Sequence, residues 1–179
     1  MIERLTTAEP AAALFDDYLR WLTPRFASAY GVVLDAATVA HYDEETANFL
    51  GQGGRLLGAR LGGDLVGLGA LKPGAAAGTA EVKRMWVRPD ARGNGLARAL
   101  LEALIDAARE EGYRTLRLET VTFMRPAITL YRSVGFTEAA SFDGECVAAG
   151  LGDVTVYLTM ELEQASGGSL DMKVASADH

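Results

Sequence analysis

Glu81-Val82-Lys83-Arg84-Met85-Trp86-Val87-Arg88-Pro89-Asp90-Ala91-Arg92-Gly93-Asn94-Gly95-Leu96-Ala97-Arg98-Ala99-Leu100-Leu101 is the stretch whose reading decides the fold. A strand is expected over Ala80 to Val87, ended by Pro89, which has no N–H to continue a ladder. From Leu96 to Glu111 the pattern turns helical. Ala97, Leu100, Leu101, Leu104, Ile105 and Ala108 form one apolar stripe, opposite Arg98, Glu102, Asp106, Arg109 and Glu110. Gly112 caps the helix. Between strand and helix lies Arg92-Gly93-Asn94-Gly95, which brings unpaired backbone N–H groups and the positive end of a helix dipole to one point. Glycine lets the backbone approach an anion closely, and Arg92 adds a fixed cation. An anion is the natural occupant.

Which anion is a separate matter. A dinucleotide fingerprint requires a third glycine where this chain has Arg98, and the Gly-Lys-Ser/Thr of a Walker loop is absent. On the loop alone, a glycine-rich turn without a ligand stays open.

Working outward, Leu14, Tyr18, Leu19, Leu22 and Phe26 fall at helical spacing over residues 9–27, with Pro24 an expected end or kink. A second helix is expected from Asp35, as its cap, to Leu50. The period then changes: Arg55–Ala59 and Asp64–Leu71 read as a hairpin about Leu61-Gly62-Gly63-Asp64. Downstream lie a strand over Thr115–Thr120, a short helix from Pro126 to Val134, and strands over Thr137–Phe142 and Val154–Leu162. The order predicts one mixed α/β domain over 1–163 with a polar, disordered tail over 164–179.

Bulk properties narrow the partners. A net charge of -7 with only three lysines (Lys72, Lys83, Lys173) argues against nucleic acid and slightly favours a cationic substrate. Cys146 is the only cysteine, and His41 and His179 are far apart, so neither a disulfide nor a metal site is expected. The N-terminus carries mixed charge, and no apolar run is long enough for a membrane span; a cytoplasmic protein is expected.

The stretch quoted above resembles the central motif of the GNAT superfamily of acetyl-CoA-dependent N-acetyltransferases: a strand, R/Q-x-x-G-x-G/A, then an amphipathic helix. Arg92, Gly95 and Ala97 occupy the defined positions of the loop. Ala127-Ile128-Thr129-Leu130-Tyr131-Arg132-Ser133-Val134-Gly135-Phe136 is similar to the family's second motif, A-x-x-L-Y-x-x-x-G-F. The resemblance is close over residues 80–136, while residues 1–50 vary in the superfamily. One departure concerns an asparagine that many members carry seven residues before the motif tyrosine; Met124 stands there, with Arg125 as a substitute contact.

The resemblance implies a largely antiparallel sheet with one splayed parallel strand pair, flanked by about four helices. It implies that acetyl-CoA lies in the gap, with its pantetheine arm on the backbone of Met85, Trp86 and Val87 and its diphosphate on Arg92, Gly93, Asn94, Gly95, Leu96, Ala97 and Arg98. No metal takes part. A backbone N–H on that strand can also polarise the thioester carbonyl. The acceptor must attack as a neutral amine, and an amine of pKa about 10.4 costs about 4–5 kcal/mol to deprotonate at pH 7. Glu81 resembles the family's glutamate base, with Glu119 the alternative, and strand alternation places Glu81, Met85 and Val87 on one side if no bulge intervenes. Tyr131 matches the tyrosine that protonates the departing thiolate. Asp16, Asp17, Asp43, Glu44 and Glu45 are acidic residues that could draw a cationic amine. The expected acceptor is a primary amine on a small molecule; a protein acceptor and a non-catalytic CoA-binding module are the alternatives. Homodimers are common in the superfamily and are left open here.

Overall fold

The structure, a computed structural model, describes residues 1–33, 46–142 and 152–163. His41, Cys146, the acidic run 43–45, the Asp35 cap and the tail 164–179 lie outside the described residues. The strands are β1 (Ile2–Arg4), β2 (Arg55–Leu61), β3 (Asp64–Pro73), β4 (Thr79–Val87), β5 (Thr115–Val121), β6 (Thr137–Glu138) and β7 (Thr155–Glu161). The helices are α1 (Glu9–Tyr30), α2 (Leu96–Glu110) and α3 (Arg125–Ser133), and residues 46–50 are also helical.

The strands form one sheet in the order β1-β2-β3-β4-β5-β7-β6. All neighbours are antiparallel except β4 and β5. The expected hairpin joins β2 to β3 through Gly62 and Gly63, both at positive φ (60° and 98°), the backbone that a two-residue hairpin turn demands. β1 was not expected; a three-residue strand is too short to show a period. It is held by pairing with β2. β6 is shorter than the expected strand over residues 137–142.

α1 runs through Pro24 to a left-handed Gly31, whose N–H bonds to the Ala27 carbonyl (2.9 Å). Proline forfeits one helical bond. Leu22 and Phe26, on either side of it, are buried with Val121 of β5, and Phe26 meets Phe123 edge-on at 5.5 Å. Tertiary packing therefore outweighs the local break.

Each face of the sheet is covered. On one, Leu71, Val82, Val87, Leu116 and Leu118 pack against Leu100, Leu101, Leu104 and Ile105 of α2. On the other, Leu68 and Trp86 meet Leu14 of α1, and Leu56 and Ala70 meet Phe49. Fully burying each such side chain is worth about 1.5–3 kcal/mol, and this sandwiching fixes the direction of every strand residue.

β4 carries the irregularity that matters most. Lys83 lies opposite Ala70 and Trp86 opposite Leu68, so Arg84 and Met85 together face Gly69. This is a β-bulge. Arg84 takes the positive φ (54°) that its extra residue requires, at a cost of about 1–2 kcal/mol for a non-glycine residue. Its guanidinium sits over Phe15 (4.4 Å) and Phe49 (4.7 Å) and donates to Thr46 Oγ1 (2.7 Å), contacts that offset the strain.

The bulge overturns one expectation. Residues opposite one another across a ladder share a face, so Glu81, Lys83 and Trp86 lie on the α1 side, whereas Met85 and Val87 lie on the α2 side. Strand alternation fails here because the bulge inserts one extra residue between Lys83 and Trp86.

Gly69 is part of the same device. A Cβ there would stand 2.8 Å from Met85 Sδ and 3.0 Å from Leu104 Cδ1. Gly69→Val is expected to destabilise the fold by about 1–3 kcal/mol through overpacking. Thermal unfolding should fall by about 2–4 °C for each kcal/mol; an unchanged midpoint would show that the bulge does not depend on a bare residue opposite it.

Candidate active site

The parallel ladder between β4 and β5 lasts only four rungs, from Thr79↔Thr115 to Val82↔Leu118. Beyond them β4 enters its bulge while β5 continues on β7. The strands part. At the opening lies a cavity of about 360 Å³, lined from the α1 side by Trp21, Arg25 and Trp86, and from the α2 side by Met85, Val87, Ala97, Leu130 and Tyr131. Its walls thus come from both faces of the sheet. Phe123 and Met124 complete the rim. The Phe123 N–H donates to the Tyr30 hydroxyl (3.2 Å), which also pairs with Thr122 Oγ1 (2.8 Å), so the end of α1 fixes this rim.

The loop after β4 is built to leave the start of α2 open. The first helical bond runs from the Ala99 N–H to the Gly95 carbonyl (3.0 Å), and no side chain caps the helix. The amides before Ala99 therefore face outward at the positive end of the dipole. Gly93 (φ 84°) and Gly95 (φ 73°) hold the loop in left-handed backbone, and a Cβ at either would meet nothing within 4 Å. That is a cradle with room above it. Asn94 braces the loop through Nδ2 to the Ala91 carbonyl (3.0 Å). Arg98 turns aside to Ser133 Oγ (2.8 Å), tying α2 to α3.

Arg92 turns into the cavity: its Nε donates to the Val87 carbonyl (3.0 Å) and its guanidinium lies 4.9 Å from the Trp21 ring centre. Tyr131 comes from α3, where Ile128 and Tyr131 are the buried residues. Its ring is 6 % exposed, packs edge-on against Phe136 (6.0 Å) and lines the cavity. Burial pushes the phenol above its ordinary range, so it keeps its proton at neutral pH. At the position of the missing asparagine, Met124 lines the cavity, whereas Arg125 is exposed and does not.

The two carboxylates form a group of their own. Glu81 Oε2 lies 3.2 Å from Lys83 Nζ and 3.8 Å from Lys72 Nζ, and Glu119 Oε1 lies 3.7 Å from Lys83 Nζ. All four are on the α1 side of the sheet, and neither carboxylate lines the cavity. The Glu119 side chain is 2 % exposed, and among the described residues its two oxygens and Glu81 Oε2 are buried without a close hydrogen bond. Burial raises its pKa, the Lys83 charge opposes that, and the nearby Glu81 adds to it. Sequence spacing missed this grouping, because it arises from cross-strand register: Glu81↔Lys72 on β3 and Glu81↔Arg117 on β5. Asp17 is spent on Arg20 (2.7 Å), and Asp16 is exposed. Among the described residues no three His, Cys, Asp or Glu side chains gather as a metal site, and no helix is long and apolar enough to cross a membrane.

A parted parallel strand pair, an open helix start and a buried tyrosine thus meet at one gap. The chain belongs to the acetyltransferase (GNAT) family, whose profile matches residues 15–136. It is 36% identical over 129 residues to the IAA acetyltransferase of Azospirillum brasilense, covering 72% of this chain and 78% of that one. An uncharacterised N-acetyltransferase of Schizosaccharomyces pombe is 32% identical over 126 residues, covering 68% and 75%. Among solved structures, an acetyltransferase of Salmonella typhimurium with its cofactor acetyl-CoA superposes with a TM-score of 0.65 at 22% identity, over 93% of this chain and 95% of that one. The protein is an enzyme, an acyltransferase that carries out acetyl-CoA-dependent N-acetylation.

The cradle generates a direct prediction. Gly95→Glu would set a carboxylate beside the outward amides; its Cβ would meet nothing within 4 Å, although the left-handed backbone (φ 73°) strains any side chain there. At CoA a hundredfold above its Kd the parent should gain about 2.7 kcal/mol of stability. The variant should gain none in a thermal-shift assay, and an undiminished shift would exclude the loop from CoA binding.

Proposed function

We propose that this enzyme acetylates a primary amine on a small molecule, the acceptor and the coenzyme meeting in the cavity that both sheet faces wall. The observation that carries this reading is the cavity of about 360 Å³ at the parted strands, with Trp21, Trp86 and Phe123 among its walls. Acetyl-CoA supplies an activated thioester. The groups of this chain that fit it are the outward amides at the start of α2, in the 93–98 stretch, and the β4 backbone from Met85 to Val87, which lies beyond the last rung shared with β5. The name of the Azospirillum relative ties it to one acceptor, IAA; a shared fold does not transmit a substrate.

In this reading Tyr131 holds the proton for the leaving sulfur. Because burial raises its pKa, complete proton transfer is uphill, and the phenol serves first as a hydrogen-bond donor to developing thiolate charge. The amine's proton goes to the Glu81–Glu119 group through water, since neither carboxylate reaches the cavity wall. Of the two, Glu119 is the better acceptor. Glu81 Oε2 faces two ammonium groups, whereas among the described residues Glu119 faces Lys83 alone and burial raises its proton affinity.

An acceptor screen following free thiol release, with small amines and peptides side by side, tests the substrate class; turnover confined to peptides would overturn it. Tyr131→Phe should lower kcat by about a hundredfold, the lower end of acid–base contributions, with CoA affinity unchanged. The base must be ionised to act, so kcat/KM should rise with pH through the raised Glu119 pKa, placing the acid limb above the ordinary carboxylate range. Glu119→Gln should abolish that limb and cost about 10²-fold. A parent-like limb in Glu119→Gln, absent from Glu81→Gln, would move the role to Glu81.

A further inference from the structure

Arg25 has no place in either family motif, yet it lines the same cavity as Arg92. Its guanidinium lies 4.3 Å from the centre of the Trp21 ring, and Nη1 donates to the Trp21 carbonyl at 2.7 Å. The Arg92 guanidinium lies 4.9 Å from the centre of the same ring. One indole thus holds two like charges beside one cavity.

Such a pair is costly without an anion. In a chain of net charge -7, neither Arg25 nor Arg92 makes an ion pair among the described residues, whereas neighbouring Arg88 takes Asp90 at 2.5 Å and Arg20 takes Asp17 at 2.7 Å. The Arg92 pKa is lowered, chiefly by burial and then by the charge of Arg25, so the two guanidinium groups sense each other. An ammonium acceptor would add a third positive charge. An oxyanion would relieve the repulsion, and guanidinium groups are suited to binding it bidentately.

We propose that Arg25 is a coenzyme-binding residue supplied by α1, which with Arg92 holds the diphosphate of acetyl-CoA across Trp21. The proposal rests on the acetyl-CoA reading of the cleft and extends it to an element outside both motifs. Continuity favours the diphosphate over a carboxylate on the acceptor: Arg92 leads directly into Gly93, Gly95 and the outward amides of α2, and Ala97 in the first turn of that helix lines the same cavity as the guanidinium pair. Two negative charges match two positive ones. A consequence is that the coenzyme bridges α1 to the β4–α2 loop, closing the rim at Trp21.

The test compares two ligands differing by the diphosphate and nucleotide. Binding of CoA and of pantetheine is measured by calorimetry for the parent, Arg25→Gln and Arg25→Lys. Arg25→Gln should weaken CoA about tenfold, within the range of a charge-assisted hydrogen bond, and flatten the salt dependence of its Kd, with pantetheine affinity unchanged. Arg25→Lys should recover part of the loss. Unchanged CoA affinity in Arg25→Gln would overturn the proposal. So would an equal loss for pantetheine, which would make Arg25 a packing residue for Trp21, or an effect confined to the KM of carboxylate-bearing acceptors. A parent that binds neither CoA nor acetyl-CoA would instead defeat the coenzyme reading of the cleft, a result separate from all of these. Unfolding midpoints of both variants within about 2 °C of the parent establish that the fold is intact.

Discussion

The early end of the β4–β5 ladder is the constraint on which the remaining structure depends. Four parallel rungs anchor the two strands, and beyond Val82↔Leu118 their backbone groups on facing edges have no partner in each other. Unpaired backbone polar groups inside a fold are costly unless something satisfies them. A ligand that carries its own amides, as a pantetheine arm does, meets that requirement. The bulge at Arg84 and Met85 is the local device that turns β4 away, and it depends on Gly69 opposite and on the aromatic seat of the Arg84 guanidinium. The opening is therefore a product of packing on both sheet faces, not of a missing segment.

Much of this was legible in the sequence, for identifiable reasons. The Leu100, Leu101, Leu104 and Ile105 stripe is long and strictly periodic, so α2 was expected over nearly its observed span. The Gly93 and Gly95 loop was readable because positive φ and close approach leave a glycine signature. The second motif placed Tyr131 on a short helix, where the structure has it, lining the cleft. What escaped was set by register and tertiary contact. Nothing in the run Lys83-Arg84-Met85 announces a bulge, since its arginine is an ordinary strand residue until Phe15 and Phe49 are brought to it. Pro24 marks a helix end that the Leu22 and Phe26 packing overrides. The pairing of Arg25 with Arg92 joins residues far apart in the chain, through one indole.

The charges divide into two populations. Arg25 and Arg92 stand at the cavity with no acidic partner among the described residues. Glu81 and Glu119, with Lys72 and Lys83, lie buried on the α1 face away from the cavity wall. An anionic donor and a proton-shedding acceptor require such a separation, because one set of groups cannot stabilise negative charge and accept protons at once. The net acidity of the chain hides the arrangement, since both populations are small beside the exposed carboxylates.

Amide hydrogen exchange with and without CoA tests the account at its centre. If the parted strands receive the pantetheine arm, CoA should slow exchange at Met85 to Val87 and at Gly93 to Arg98, while the amides of Thr79 to Val82, already within the four-rung ladder, change little. Protection that misses residues 85–87, or that falls only on the outer strands β1 and β6, would contradict it.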